Sequence, residues 1–414
     1  MGRVKGKHRT ANLRHFLASK LQDVPSDKVF DEIERTDSTP KRMGETYFQF
    51  YNRSARPLMA TVRSFIEGCL RKYPEEERYG TRKRLSSRND NDFESAIFEL
   101  ILHETLASQG CTITPHPTLP NGSNKKPDFL VVTGEGERFY LEATVVGTES
   151  AEERGANARR ARALDKLNGA PHENFLVLIS ETGSPLGQPN GEQLSRDVHQ
   201  WLDSLDVESI YREIQHSIQA LPTYRWSAEG WALNIKAWPL PPESRGKSPL
   251  LIGGGTIPGS EGNITTSIQR NIKKKAAKYG ELDAPLVIAV NVIGGGLIED
   301  HEEEALLGKQ VFVIPKGSDY ATVQRVRPDG LWYGNGGPKG LRCSAAWVFN
   351  NLRVSSLGST SSNVYFNPWA ANPGPSFLES FNYAKIVGFE FVRSEGIEVH
   401  EILRLAEGWP RESK

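Results

Sequence analysis

The chain has 414 residues, with 51 Lys+Arg against 51 Asp+Glu, a length that allows two or three domains, or one elaborated domain, with ample core. Balanced charge excludes a polyanion binder acting by net charge, so any nucleic-acid surface must be local. Three distant cysteines, Cys69, Cys111 and Cys343, argue against a disulfide framework or a zinc ribbon and suit a reducing cytosol. The longest apolar run, PLVIAVNVIGGGLI, is broken by Asn291 and three glycines, too short to span a membrane. The first residues carry no secretory or myristoylation signal, so the expectation is a cytoplasmic protein with no membrane partner.

Residues 1–20 hold Arg3, Lys5, Lys7, Arg9, Arg14 and Lys20 with no acid; they read as a phosphate-contacting arm or, more plainly, as a solvated terminus. From Val24 to Tyr73 the pattern is helical, with Phe48, Tyr51, Leu58, Val62, Phe65, Ile66 and Leu70 near helical spacing. The run YPEEERYGTRKRLSSRNDND breaks that periodicity and reads as a linker or as a basic cluster, through Arg82, Lys83, Arg84 and Arg88, poised before the next element.

Residues 92–146 organise the chain. The helix DFESAIFELILHETLASQG is apolar nearly all round, with Phe93, Ile97, Leu100 and Ile101 on one face and Phe98, Leu102 and Leu106 on the other; such a helix is buried on both sides. Glu99 falls within the second face, with His103 one turn on and Glu94 at the edge of the first face; an acid there reads as part of a site or as a structural acid paired to an arginine. Three extended runs follow, CTITPHP, KKPDFLVVTG and ERFYLEATVVG. Asp128 stands at the start of the second run and Glu142 lies inside the third. Acids on two neighbouring apolar strands are costly unless neutralised, paired or bound to a metal. One divalent cation held by both is the economical reading; two incidental edge-strand acids is the other.

After Val146 the chain alternates helical and extended patterns: a helix rich in arginine (Arg154, Arg159, Arg160, Arg162), the strand NFLVLIS, a Gly/Pro loop, a helix around LSRDVHQWLDSLD and the strand WALNIKAWPL. LIGGGT lacks the following Gly-Lys-Ser/Thr of a P-loop and reads as a turn. In NITTSIQRNIKKKAAKYG the apolar stripe runs through Ile264, Ile268, Ile272, Ala276 and Tyr279, and Lys275 falls inside it. A lysine there snorkels or meets an acid. PLVIAVNVI then reads as a central strand. Residues 152–180 or residues 264–293 could supply the helix and strand that complete the core; Lys275 favours the second, with 147–262 as an insertion. The acidic stretch EDHEEEALLG, with His301 among its acids, reads as a solvated helix start. VFVIP, SAAWVFNNL, NVYFNPWA and FEFV read as strands. No catalytic triad pattern is present.

The helix, the Pro127-Asp128 pair and the strand carrying Glu142-Ala143-Thr144 together resemble the PD-(D/E)xK, restriction-endonuclease-like nuclease superfamily. FELILHETL, PDFLVV, YLEATVV, KKKAAKYGELDAPLVIAVNV and VYFNPWA are similar, in the same order over residues 55–370, to a bacterial group of that superfamily. The resemblance implies an α/β fold with a core of helix, three-stranded meander, helix and strand over 91–296, a helical N-terminal region (1–90) and a β-rich C-terminal extension (297–414). It implies Mg²⁺ or Mn²⁺ at Asp128 and Glu142, with Glu99 as an outer ligand, Glu94 as the runner-up and the Ala143 carbonyl as a further ligand. The family lysine position holds Thr144, and Lys275 would supply the missing charge. The implied activity is metal-dependent endonuclease cleavage, of DNA first, with defence against foreign DNA as the fold-level analogy and a homodimer or a partner protein compatible with it. The rivals are a non-catalytic DNA-binding or assembly module and an enzyme acting on small phosphate compounds.

Overall fold

The computed structural model describes residues 28–147, 151–214, 221–256, 264–294, 297–309, 311–313, 322–324, 329–388 and 390–411. The basic stretch 1–20 lies outside them. Among the described residues no helix is long and apolar enough to cross a membrane, and the three cysteines are buried and free.

The N-terminal region is less helical than its periodicity predicts. Helix α1 (Tyr47–Arg53) begins at a capping box in which Thr46 and Gln49 satisfy each other's main-chain amides. Helix α2 (Pro57–Lys72) starts with Pro57, whose fixed φ suits the first helical position, and buries Val62, Ile66 and Leu70. The run after Tyr73 is no linker but helix α3 (Glu75–Leu85). Its acids Glu75, Glu76 and Glu77 fill the first turn and its bases Arg82, Lys83 and Arg84 the last, which complements the helix dipole. Only Thr81 and Leu85 are buried, so it carries almost no apolar period to detect.

Helix α4 (Asp90–Ser108), capped by Asn89, buries every residue from Phe93 to Leu106 except Ser95. The meander β1 (Thr112–Pro115), β2 (Phe129–Val132) and β3 (Arg138–Gly147) follows. The next segment builds its own unit: α5 (Ala151–Asn168), β4 (Phe175–Gly183), α6 (Gly191–Asp203), α7 (Val207–Ile214), β5 (Thr223–Ala228), β6 (Trp231–Pro239) and β7 (Ile252–Thr256). Its four strands pair in the order β5-β6-β4-β7 over a separate core that includes Leu164, Val177, Val198, Trp231 and Ile235. LIGGGT is therefore a strand rather than a turn. At Gly253 a Cβ would come within 3.0 Å of Leu176, so glycine lets β7 lie close against β4.

The chain then returns to the first sheet through α8 (Ile264–Ala276) and β8 (Leu286–Ile293), passes α9 (Glu299–Leu307), the short pairs β9 (Val311–Val313) with β10 (Thr322–Gln324) and β11 (Tyr333–Gly334) with β12 (Gly337–Pro338), and adds β13 (Ala345–Asn350), β14 (Ser362–Phe366), β15 (Tyr383–Val387) and β16 (Glu390–Ser394) before α10 (Val399–Ile402). The large sheet has eight strands in the order β1-β2-β3-β8-β13-β14-β15-β16. β8 is parallel to both β3 and β13. Residues 345–394 thus continue this sheet. One face packs on α2 and α4 through Leu141, Val287, Ala289, Trp347 and Phe349. The other packs on α8 and α9 through Tyr140, Ile288, Val290, Ala346 and Val348. Coverage on both faces explains why β8 is a continuous apolar run.

Candidate active site at a forked sheet

Pairing of β2 with β3 ends at Phe129↔Leu141, whereas β3 runs on to Gly147 beside β8. The sheet forks there, and the first residues past the last pair are Asp128 and Glu142. The Ala143 amide, left without a β2 partner, donates to Asp128 Oδ2 at 2.7 Å. The Asp128 amide donates to Glu142 Oε2 at 3.2 Å. Side chains replace the ladder at the point where the strands part, which fixes the two carboxylates beside each other.

Glu142 is 0 % exposed, and four donors surround its two oxygens. Lys275 Nζ donates to Oε1 at 2.6 Å and to the Ala143 carbonyl at 3.1 Å. Lys278 Nζ reaches the same Oε1 at 3.1 Å. The Tyr279 hydroxyl donates to Oε2, which also receives the Asp128 amide. Lys275 stands in the last turn of α8, and Lys278 and Tyr279 lie in the turn that follows the helix, which brings all three onto the same carboxylate. The stripe that buries Ile268 and Ile272 on the sheet carries Lys275 onto the acid.

The fork also opens a cleft of about 300 Å³, lined by Arg84, Asp92, Ser95, Phe98, Glu99, Asp128, Ala143, Thr144, Val145 and Lys275. Groups from α4, on one face of the sheet, and from α8, on the other, meet in it. Glu99 lies in the cleft with both oxygens taken by Arg84, Nη1 donating at 2.7 Å and Nη2 to the second oxygen. A two-pronged guanidinium of this kind holds a carboxylate in one orientation. Glu94 lies elsewhere: it pairs with Arg353 at 2.5 Å, and burial pushes its carboxyl up to about 7. Thr144 lines the cleft. Burial first, then the neighbouring charges of Glu142 and Glu99, push the Asp128 carboxyl up to about 7, against Lys275 and the Ala143 amide. Burial, and donation to Glu142, raise the Tyr279 phenol above its ordinary range.

Among the described residues no three His, Cys, Asp or Glu side chains form a ready-made metal group. The donors at the fork are nonetheless hard oxygens: two carboxylates and the Ala143 carbonyl, a set that suits Mg²⁺ or Mn²⁺. The carboxylates Asp128, Glu142 and Glu99 are balanced by Arg84, Lys275 and Lys278. Three further contributors escape the sequence reading of the site. Arg84 lay in the basic run but had no visible partner. Lys278 was detectable from its three-residue spacing to Lys275. Tyr279 was assigned to the apolar stripe, where its ring belongs; only its hydroxyl reaches the acid.

Comparisons with protein-family models, curated proteins and solved structures gave no match.

Proposed function

We propose that this protein is a metal-dependent nuclease that hydrolyses phosphodiester bonds, DNA being the first substrate class to test. The observation that carries the reading is the Lys275 ammonium, 2.6 Å from Glu142 at the fork that also holds Asp128. Asp128 and Glu142, with the Ala143 carbonyl, would hold Mg²⁺ or Mn²⁺, and Glu99 serves to fix Arg84 rather than to bind the ion directly. Bound there, the ion supplies an acidified water and offsets charge on the scissile phosphate. Lys275 contributes a positive charge at the mouth of the carboxylate pair, where it orients the attacking water or stabilises the oxyanion that develops on phosphorus. Arg84 offers its guanidinium to non-reacting phosphate oxygens from the α4 side of the cleft. Thr144, uncharged, can hold a water but cannot replace Lys275.

A second reading is a nucleic-acid-binding or assembly module that keeps the fold without cleaving. One observation favours it: both Glu142 oxygens already receive two protein donors each. Incubation of supercoiled plasmid with wild type and Asp128→Ala, in Mg²⁺, Mn²⁺ or EDTA, separates the two. Nicking by wild type in either metal, absent in EDTA and in the variant, is the expected result. Intact plasmid and intact single strands under all conditions would sink the nuclease reading.

A further inference from the structure

A second cavity, larger than the carboxylate cleft, is separate from it. It occupies about 1000 Å³ between the outward side of α8 and the segments 329–331 and 339–343. Among the described residues five cations line it, Arg270, Lys273, Lys274, Lys339 and Arg342, against the single acid Asp329. Among the described residues none of the five forms an ion pair, whereas Arg53, Arg84, Arg138, Arg160, Arg245, Arg353 and Arg393 all do. In a chain with equal numbers of acids and bases, cations gathered around one recess repel each other unless an anion enters it. The dipole of α8 accounts for lysines in its last turn. It does not account for Lys339 and Arg342, which come from a different segment and face the same space.

The dimensions indicate what kind of anion. The helix wall runs from Thr266 to Ala277, about 16 Å at 1.5 Å per residue. A wall of that length spans several phosphates of a nucleic-acid strand. The space is a recess between a helix and a loop wall, a shape suited to one extended strand. Among the described residues its lining includes the aliphatic Ile272, Leu331 and Leu341 and holds no aromatic ring for base stacking. Recognition there rests on the backbone and is insensitive to sequence.

We infer that this recess binds the phosphate backbone of a single nucleic-acid strand, holding it on one side of α8 while the other side of the same helix presents Lys275 to Glu142. The inference deepens the nuclease reading and rests on it for the identity of the strand; its test measures binding alone.

The full chain carrying Asp128→Ala, in EDTA, is titrated into a fluorescent oligonucleotide of about 12 nucleotides over a range of salt, and anisotropy is read. Removing two phosphate contacts from a single strand flattens the plot of log affinity against log salt by about 1.4, equivalent to about 25-fold weaker binding near 0.1 M salt. Lys273→Ala/Lys339→Ala should show both changes, and Arg225→Ala/Lys236→Ala, which removes equal charge from the other sheet, neither. Equal affinity and slope in both double variants overturns the proposal. So does tighter binding of ATP or inorganic triphosphate than of the oligonucleotide, which would make the recess a small-anion site. A wild type that binds through this recess yet never cleaves leaves the inference standing and removes the nuclease reading; cleavage that is indifferent to Lys273 and Lys339, with unchanged binding, does the reverse.

Discussion

Replacing Lys275 by methionine keeps the stem along the apolar stripe and removes only the charge. Glu142, 0 % exposed, then retains Lys278 at 3.1 Å, Tyr279 and the Asp128 amide. Taking one partner from a buried ion pair costs about 3–5 kcal/mol, and a hydrogen bond to a charged group contributes about 1.5–3 kcal/mol. Because Lys278 remains, the loss should fall at the lower end, about 2–3 kcal/mol near neutral pH. Glu142→Gln/Lys275→Met leaves no unbalanced charge at this position and should recover most of it, giving a coupling of about 2 kcal/mol in a double-mutant cycle. Urea unfolding followed by tryptophan fluorescence measures all four proteins, since Trp347 is buried in the large sheet. A single variant as stable as wild type, or a double variant showing the sum of the two single losses, would refute the reasoning. In the same preparations Lys275→Met should abolish plasmid nicking and leave oligonucleotide binding close to that of wild type, because the charge acts mainly in the transition state.

Mg²⁺ or Mn²⁺ at a hundredfold excess over its dissociation constant should stabilise the wild type by about 2.7 kcal/mol, read as a raised Tm; an equal rise in Asp128→Ala/Glu142→Ala would place the ion elsewhere. Arg84→Ala should destabilise by about 3 kcal/mol by stranding Glu99, and Arg84→Lys should recover only part, since lysine cannot reproduce the two-pronged contact; full recovery in a thermal melt would show that the fork geometry is immaterial. Glu302, beneath the hydroxyl of Tyr365, is raised by burial from 4.5 to about 7. A carboxyl raised in the folded state favours folding most below its unfolded pKa, and that advantage is lost as pH climbs through about 7. Glu302→Gln should therefore raise Tm at pH 8, with about 3 kcal/mol as the upper bound, and leave it unchanged near pH 4; the same shift at both values would show that charge is not the cause.

Where a residue's environment is set by local pattern, the sequence is informative. The all-round apolar character of α4, the acids at the head of β2 and within β3, and a lysine on the buried stripe of α8 each follow from spacing and the cost of burying charge. What pattern conceals is whatever depends on a distant partner. Helix α3 is held by its charge order and by Arg84 on Glu99, neither of which leaves an apolar period. The strand Ile252–Thr256 reads as a turn because of its glycines, of which Gly253 serves close packing on Leu176. Glu302 looks solvated among its acidic neighbours, and only the fold shows it 4 % exposed under Tyr365. Glu99 follows the same rule in part: its burial and pairing with an arginine were legible as one of two readings, but that the arginine is Arg84 was not.

The ion pair at the fork joins residues 133 positions apart, and the unit built from 151–256, with its own core, lies between them. At a synthesis rate of about 5–20 residues per second, the ribosome finishes the two carboxylates roughly 7–27 s before Lys275 emerges. Strand β3 likewise waits for β8, its only partner beyond the fork. An unfinished chain therefore holds acids without their cation and half of a sheet without its centre. Whatever chemistry the fork performs, the order of translation withholds it until α8 and β8 have been made.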